Sequence, residues 1–284
     1  MKLFAIETGN FKLDGGAMFG VVPKVLWSKS YPSDENNLCT WAMRSLLADD
    51  GERQILIDNG IGDTLDEKFL RHFYLSGDDN LEKSLASAGY ESKDITDVVI
   101  THLHFDHCGG NVKRVNGDLV PAFPNARYWV SRVQFDNAMN PNEREKASFL
   151  EHLILPVKEK GQLHFIEEEG ELFPGFAIRF YHGHTLGQIV PHIDFNGRTV
   201  VYAADLLPSA AHVPMSWVMA YDMEPTVTLQ EKEIFFRNAV AEQYIIFLEH
   251  DIYNECITLQ DTPRGVRVKE SFRLKDLTWQ PEKL

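Results

Sequence analysis

Cysteine is scarce in this 284-residue sequence: Cys39, Cys108 and Cys256 stand far apart, and no CxxC pair occurs. A small, odd and dispersed set argues against a disulfide framework or a zinc knuckle and fits a reduced, cytoplasmic chain. Positive charge is also short, with 28 Lys and Arg against 42 Asp and Glu, a net charge of −14. Such a surface repels phosphate backbones and anionic headgroups, so the expected partners include no nucleic acid and no membrane. No apolar run approaches the ~18 residues of a membrane span. The short apolar run after Lys2 falls well below the core of a signal peptide. Repeats and Ser/Gly/Pro-rich linkers are missing too, which leaves an ordinary globular composition, 44% hydrophobic and 25% charged. One domain over residues 1–284 is the expectation.

What is present is an alternation of short β-rich runs with helical ones. Strands are expected over residues 2–6, 40–47, 54–57, 97–101, 126–130, 177–181, 189–193, 199–203 and 244–248. Apolar residues at three- and four-residue spacings predict helices over 65–73 and 81–88. Further helices are expected over 143–155, after a Pro-Asn start, and over 229–242, with a Thr at the N-cap. Strands fall into an early and a late cluster with helices between and after them. That order fits two packed sheets with helices outside, an αββα arrangement, better than one parallel sheet.

The segment Val98-Val-Ile-Thr-His102-Leu-His104-Phe-Asp106-His107-Cys-Gly-Gly110 is the informative one. An apolar run ends at Thr101, and three imidazoles and a carboxylate follow within six residues. On an extended segment His102 and His104 share a side, while the following turn, eased by two glycines, swings Asp106 and His107 toward a second centre. Imidazole nitrogens and carboxylate oxygens suit Zn2+ and similar divalent ions. A His-rich surface loop is the competing reading, and so many ligand-type side chains at the end of an apolar strand outweigh it. Two metal sites that also hold water need more ligands. His184, in Tyr181-His-Gly-His-Thr-Leu-Gly187, lies in a turn after a β run. Asp205 closes an apolar strand, where a carboxylate can bridge two cations, and His250 closes another. Ligands therefore converge where several strands stop.

This order of motifs, from Asp58 to His250, resembles the metallo-β-lactamase superfamily. The resemblance implies a four-layer αββα sandwich of the α/β (α+β) class. It also implies that His102, His104 and His184 hold one metal, Asp106, His107 and His250 the other, and that Asp205 bridges. His104 stands where a diiron oxygen-reducing branch has Glu, and Asp205 stands where true β-lactamases usually have Cys, so hydrolysis of another substrate is implied. Nuclease branches fit poorly with the negative charge. Segments 14–27 and 39–47 are similar to the branch that holds methyl parathion hydrolase and N-acyl homoserine lactonases. Many smaller lactonases carry a Tyr three residues after the bridging Asp, where this chain has Pro208.

The expected enzyme is thus a hydrolase with two divalent metal ions per chain, zinc by donor type. The expected reaction opens the lactone ring of N-acyl homoserine lactones, as in quorum quenching. Paired cations lower the pKa of a shared water and polarise a carbonyl. Asp106 is the expected proton donor to the leaving group, with Asp205 as the alternative. Other substrates open to the same chemistry are organophosphate triesters, thioesters and carboxylic esters, and a metal-stabilised scaffold without catalysis is the non-enzymatic alternative. Phe19, Trp27, Phe105, Trp217 and Tyr221 are candidate walls for a small-molecule ester or lactone, and His212 and Asp222 candidates for its mouth. Core packing is the competing reading for each aromatic. Asp58 is expected to accept from a ligand imidazole, and Cys108 to pack beneath the loop. Family members are often dimers, which makes a homodimer the analogous expectation.

Overall fold

The computed structural model describes residues 1–277. Six strands form one sheet, in the order Lys2–Asp14, Leu38–Asp49, Gln54–Ile57, Asp97–Val99, Arg127–Ser131 and Leu163–Ile166. Seven form the other, from Arg267–Phe272 at one edge through Cys256–Gln260, Ile245–Phe247, Arg198–Tyr202, Gln188–Phe195 and Phe176–Tyr181 to Gly170–Phe173. A small hairpin, Val112–Val115 with Asp118–Pro121, stands apart.

The layering follows from the two-residue period of the strands. Leu46, Ile55, Ile57 and Val99 of the first sheet share a core with Ile178, Ile189, Tyr202 and Phe247 of the second. Their neighbours in sequence point the opposite way. Leu47, Leu56 and Val98 pack outward against Leu85 of the helix Leu81–Ala88. Val201 and Ile246 pack outward against Phe235, Phe236 and Ala239 of the helix Pro225–Ala241. Three cores between four layers make the αββα sandwich that the sequence leads one to expect. Each fully buried aliphatic side chain contributes about 1.5–3 kcal/mol.

Several elements depart from the sequence pattern. Residues 143–155 are not one helix: they hold turns, a short 3-10 turn at Glu151–Leu153 and the start of Leu155–Glu159. Here tertiary pairing wins over periodicity, because Phe105 N–H donates to Ser148 O and His104 bridges to Phe149. The helix in that region is Arg132–Met139, capped by Ser131, whose Oγ accepts from Gln134 N–H. Within 65–73 only Glu67–Leu70 is α-helical. The last long helix starts at Pro225, a turn before the expected Thr cap, since proline favours the first helical position.

Strand ends gather the functional segments at one rim. Gln54–Ile57 and Asp97–Val99 run parallel with Ile57 opposite Val99, so Asp58 and His102 emerge side by side. Arg198–Tyr202 and Ile245–Phe247 are likewise parallel with Tyr202 opposite Phe247, which brings Asp205 and His250 to the same edge. His184 follows Phe176–Tyr181.

Candidate metal centre

His102, His104, His184 and Asp205 form one buried group, and Asp106, His107 and His250 another, with the ligand-type atoms of each group within 4.8 Å of one another. Asp205 faces both: its Oδ2 lies 3.0 Å from His184 Nε2 and its Oδ1 3.1 Å from His250 Nε2. Asp106 Oδ2 sits 3.7 Å from His107 Nε2 and 3.8 Å from His250 Nε2.

Every imidazole commits one nitrogen to an outer partner and turns the other inward. His102 Nδ1 meets Thr101 Oγ1 at 3.0 Å, His107 Nδ1 meets Asp58 Oδ2 at 3.1 Å, and His250 Nδ1 meets Ala42 O at 2.8 Å. His184 Nδ1 meets Asp222 Oδ1 at 3.0 Å, and His104, in the reverse orientation, gives Nε2 to Glu145 Oε1 at 3.2 Å. With the outer nitrogens donating to these oxygens, the inner ones are bare acceptors. Yet His104 Nδ1 faces His184 Nε2 at 3.3 Å, His107 Nε2 faces His250 Nε2 at 3.2 Å, and His102 Nε2 has no hydrogen-bond partner. Converging bare nitrogens are what a cation between them requires, so the donor set fits two divalent ions.

The surrounding carboxylates make the site favour positive charge, which a bound cation would supply in place of protons. Burial opposes charge on His184 and His250, but Asp205 outweighs it and, with Asp222 beside His184 and Glu249 near His250, raises them to about 10 and about 9. Burial likewise resists ionisation of Asp205, yet His184, His250 and His107 hold its carboxyl well below the usual range. His102 is lowered by burial and by the neighbouring His107 and His104.

Local backbone features fix these positions. Asp58 and Ala204 adopt φ of 53° and 44°, a left-handed region that costs a non-glycine residue of order 1–3 kcal/mol. Asp58 is held there by Thr101, which donates its N–H and Oγ1 to the carboxylate, both at 2.7 Å. Gly109 is needed for space rather than for a left-handed turn, because a Cβ there would stand 2.1 Å from Ile61 O. Cys108 is buried outside both groups, its Sγ 3.5 Å from Leu103 O.

A cavity of about 330 Å3 opens onto Asp106, Asp205 and His250. Phe105 and Tyr221 line it, while Phe19, Trp27, His212 and Trp217 do not. Phe19 and Trp27 are stacked at 5.0 Å in the core, and Phe19 stacks on His212 at 4.7 Å. His212 gives Nε2 to Met18 O at 2.8 Å, and Trp217 meets Phe19 edge-on at 5.8 Å. Phe19, Trp27 and His212 form a buried stack behind the site and the half-buried Trp217 stands edge-on to it, because proximity to a motif in sequence does not set the side on which a ring packs. Asp222 lies at the back of His184, not at the mouth.

The wall instead uses Phe11, Phe69, Phe73 and Met219, which the sequence reading missed. It also missed Glu145 and Glu249. Glu249 Oε2 stands 3.1 Å from His107 Nδ1, beside Asp58, and burial pushes its carboxyl up. Its place next to His250 was the available signal; Glu145 had none.

A family model described as the metallo-beta-lactamase superfamily matches residues 44–243. The N-acyl homoserine lactonase AiiA of Bacillus thuringiensis subsp. kurstaki is 25% identical over 265 residues, covering 89% of this chain and 94% of the relative. Among solved structures, a probable metal-dependent hydrolase from Staphylococcus aureus superposes with a TM-score of 0.88 at 30% identity, covering 98% of each chain. The dizinc quorum-quenching lactonase AidC, in complex with a product, superposes with a TM-score of 0.80 at 23% identity, covering 95% of this chain and 94% of that one.

Proposed function

Because the chain belongs to the metallo-β-lactamase superfamily and is a hydrolase of that fold, we propose that it opens the lactone ring of N-acyl homoserine lactones at a two-metal centre. The observation that carries this reading is the pair of converging His/Asp groups shared by Asp205 at the floor of an apolar cavity. A lactonase relative matching 89% of the chain supports the substrate class. His102, His104 and His184 would hold one ion, Asp106, His107 and His250 the other, with Asp205 between them. Five imidazoles and two carboxylates suit zinc among divalent ions. Bound divalent ions supply Lewis acidity toward a carbonyl oxygen and lower the pKa of water.

The protein's own residues do the rest. Phe11, Phe69, Phe73, Phe105 and Met219 give an acyl chain an apolar wall and exclude bulk water. Hydrolysis adds water across the ring C–O bond, so the ring oxygen leaves as an alcohol and needs a proton. Asp106 is the better donor, because His184 and His250 crowd Asp205 at 3.0 and 3.1 Å whereas imidazoles stay 3.7 Å or more from Asp106 Oδ2. Asp58 and Asp222 hold His107 and His184 with the inner nitrogen bare.

Both sheets share one core, in line with a single domain. A second copy against the exposed Val21, Val25 and Leu26 would make a homodimer. Quorum quenching is the biological role that lactone opening implies, and three free, dispersed cysteines favour the cytoplasm as its compartment. The substrate test follows proton release with acyl homoserine lactones, their open-chain esters, methyl parathion and a thioester. Fast lactone turnover supports the proposal; fast triester or thioester turnover with slow lactone opening reassigns the substrate.

A further inference from the structure

We infer that Glu145 and Arg144, adjacent on the loop after Asn142, are positioning residues that together preset the His104 and His184 half of the centre. Glu145 is buried against His104, with Oε1 3.2 Å from Nε2. Two further side chains fix its carboxylate, and a third contact fixes its backbone. Thr185 Oγ1 donates to Oε1, Asn137 Nδ2 donates to Oε2 at 3.1 Å, and Asn142 Oδ1 accepts from the Glu145 N–H at 3.1 Å. Thr185 follows His184 directly in the chain, so one carboxylate touches one histidine and the neighbour of the other.

Arg144 reaches the same pair by a second route. Its Nη2 donates to Ala220 O and, at 3.2 Å, to Asp222 O. The Asp222 carboxylate in turn accepts from His184 Nδ1 at 3.0 Å. The loop is also tied to the motif itself, through Phe105 N–H to Ser148 O at 3.0 Å and the bridge between His104 and Phe149. The consequence is a turned ring: His104 alone among the five imidazoles presents Nδ1 inward, because Glu145 takes its Nε2. Without an acceptor at Glu145, His104 loses what fixes its rotation and tautomer, and Nδ1 is no longer bound to face His184. The other group keeps its own supports, Asp58 at His107 and Ala42 O at His250. Glu145 and Arg144 therefore act on one ion of the two.

This rests on the ligand assignment proposed above, and the test separates the two. Zinc per chain and zinc affinity are measured by competition with a chromophoric chelator on wild type, Glu145→Ala, Glu145→Gln and Arg144→Ala, with melting of the metal-free forms as the fold control. Glu145→Ala is expected to weaken one of two ions by roughly 10–100-fold. Glu145→Gln, which keeps an acceptor oxygen, recovers part of that loss, and saturating zinc restores turnover. Arg144→Ala, at an exposed side chain, gives a smaller loss of the same ion and serves if the Glu145 variants do not fold. Wild type with two ions and variants that bind both as tightly would overturn this inference alone. A wild-type chain that takes up no metal would overturn both it and the ligand assignment.

Discussion

His107 Nε2 faces His250 Nε2 at 3.2 Å, each ring having turned its other nitrogen outward, to Asp58 and to Ala42 O. Two bare nitrogens at that separation repel unless a proton or a metal ion lies between them, and a bound divalent ion replaces the proton, so folding and metal binding are linked. Chelator treatment should lower the melting temperature, and stoichiometric zinc should restore it. At a thousandfold excess over Kd a bound ion adds about 4 kcal/mol. A scan that is unchanged by chelator counts against the linkage.

Asp58→Asn should loosen the His107 side of the centre. The carboxylate accepts from His107, Thr101 N–H and Thr101 Oγ1 at once, and an amide cannot accept on both ends. The expected loss is roughly 10–100-fold in affinity for one ion, read by chelator competition. Equal affinity in wild type and variant would remove Asp58 from this role.

Cys108→Ser should leave metal content unchanged, since the thiol lies outside both ligand groups and contacts Leu103 O. Metal analysis that shows one ion fewer would make Cys108 a ligand.

Phe69→Ala should raise KM for long acyl chains by about tenfold while kcat holds, as expected for uniform binding to an apolar wall. Phe69 meets Phe105 edge-on at 5.1 Å, and both line the cavity. A fall in kcat with unchanged KM on a series of chain lengths would place Phe69 elsewhere in the mechanism.

Asp49 gives a pH test away from the site. The Tyr90 hydroxyl donates to Asp49 Oδ2 at 2.7 Å and, as the main cause, holds its carboxyl below the usual 3.8. A depressed folded pKa means stability that is present above 3.8 and lost as pH falls through the folded value. Tyr90→Phe should cost about 1 kcal/mol at neutral pH, and the gap to wild type should close in acid. Urea melts between pH 7 and pH 2.5 with a constant gap would contradict the assignment.

The proposed metal ligands were legible because they sit where apolar strands end, and strand ends are readable from hydropathy alone. The same logic exposed the four layers, since Leu46 and Leu47, or Tyr202 and Val201, had to face opposite ways. Legibility failed where long-range contact decides. Segment 143–155 has helical spacing, but its backbone pairs with Phe105 and its Glu145 with His104, partners 41 to 43 positions away. Phe19, Trp27, His212 and Trp217 are aromatic and near motifs, yet they pack on each other, stacked or edge-on, away from the cavity. Phe11 and Phe69, outside every motif segment, supply the wall in their place.

The most direct test is elemental analysis of protein purified without chelator, for wild type beside His104→Ala. Two ions per chain in wild type and a lower count with lost hydrolysis in the variant are expected. A metal-free wild type that still hydrolyses lactone, or a variant with two ions and full activity, would contradict the account.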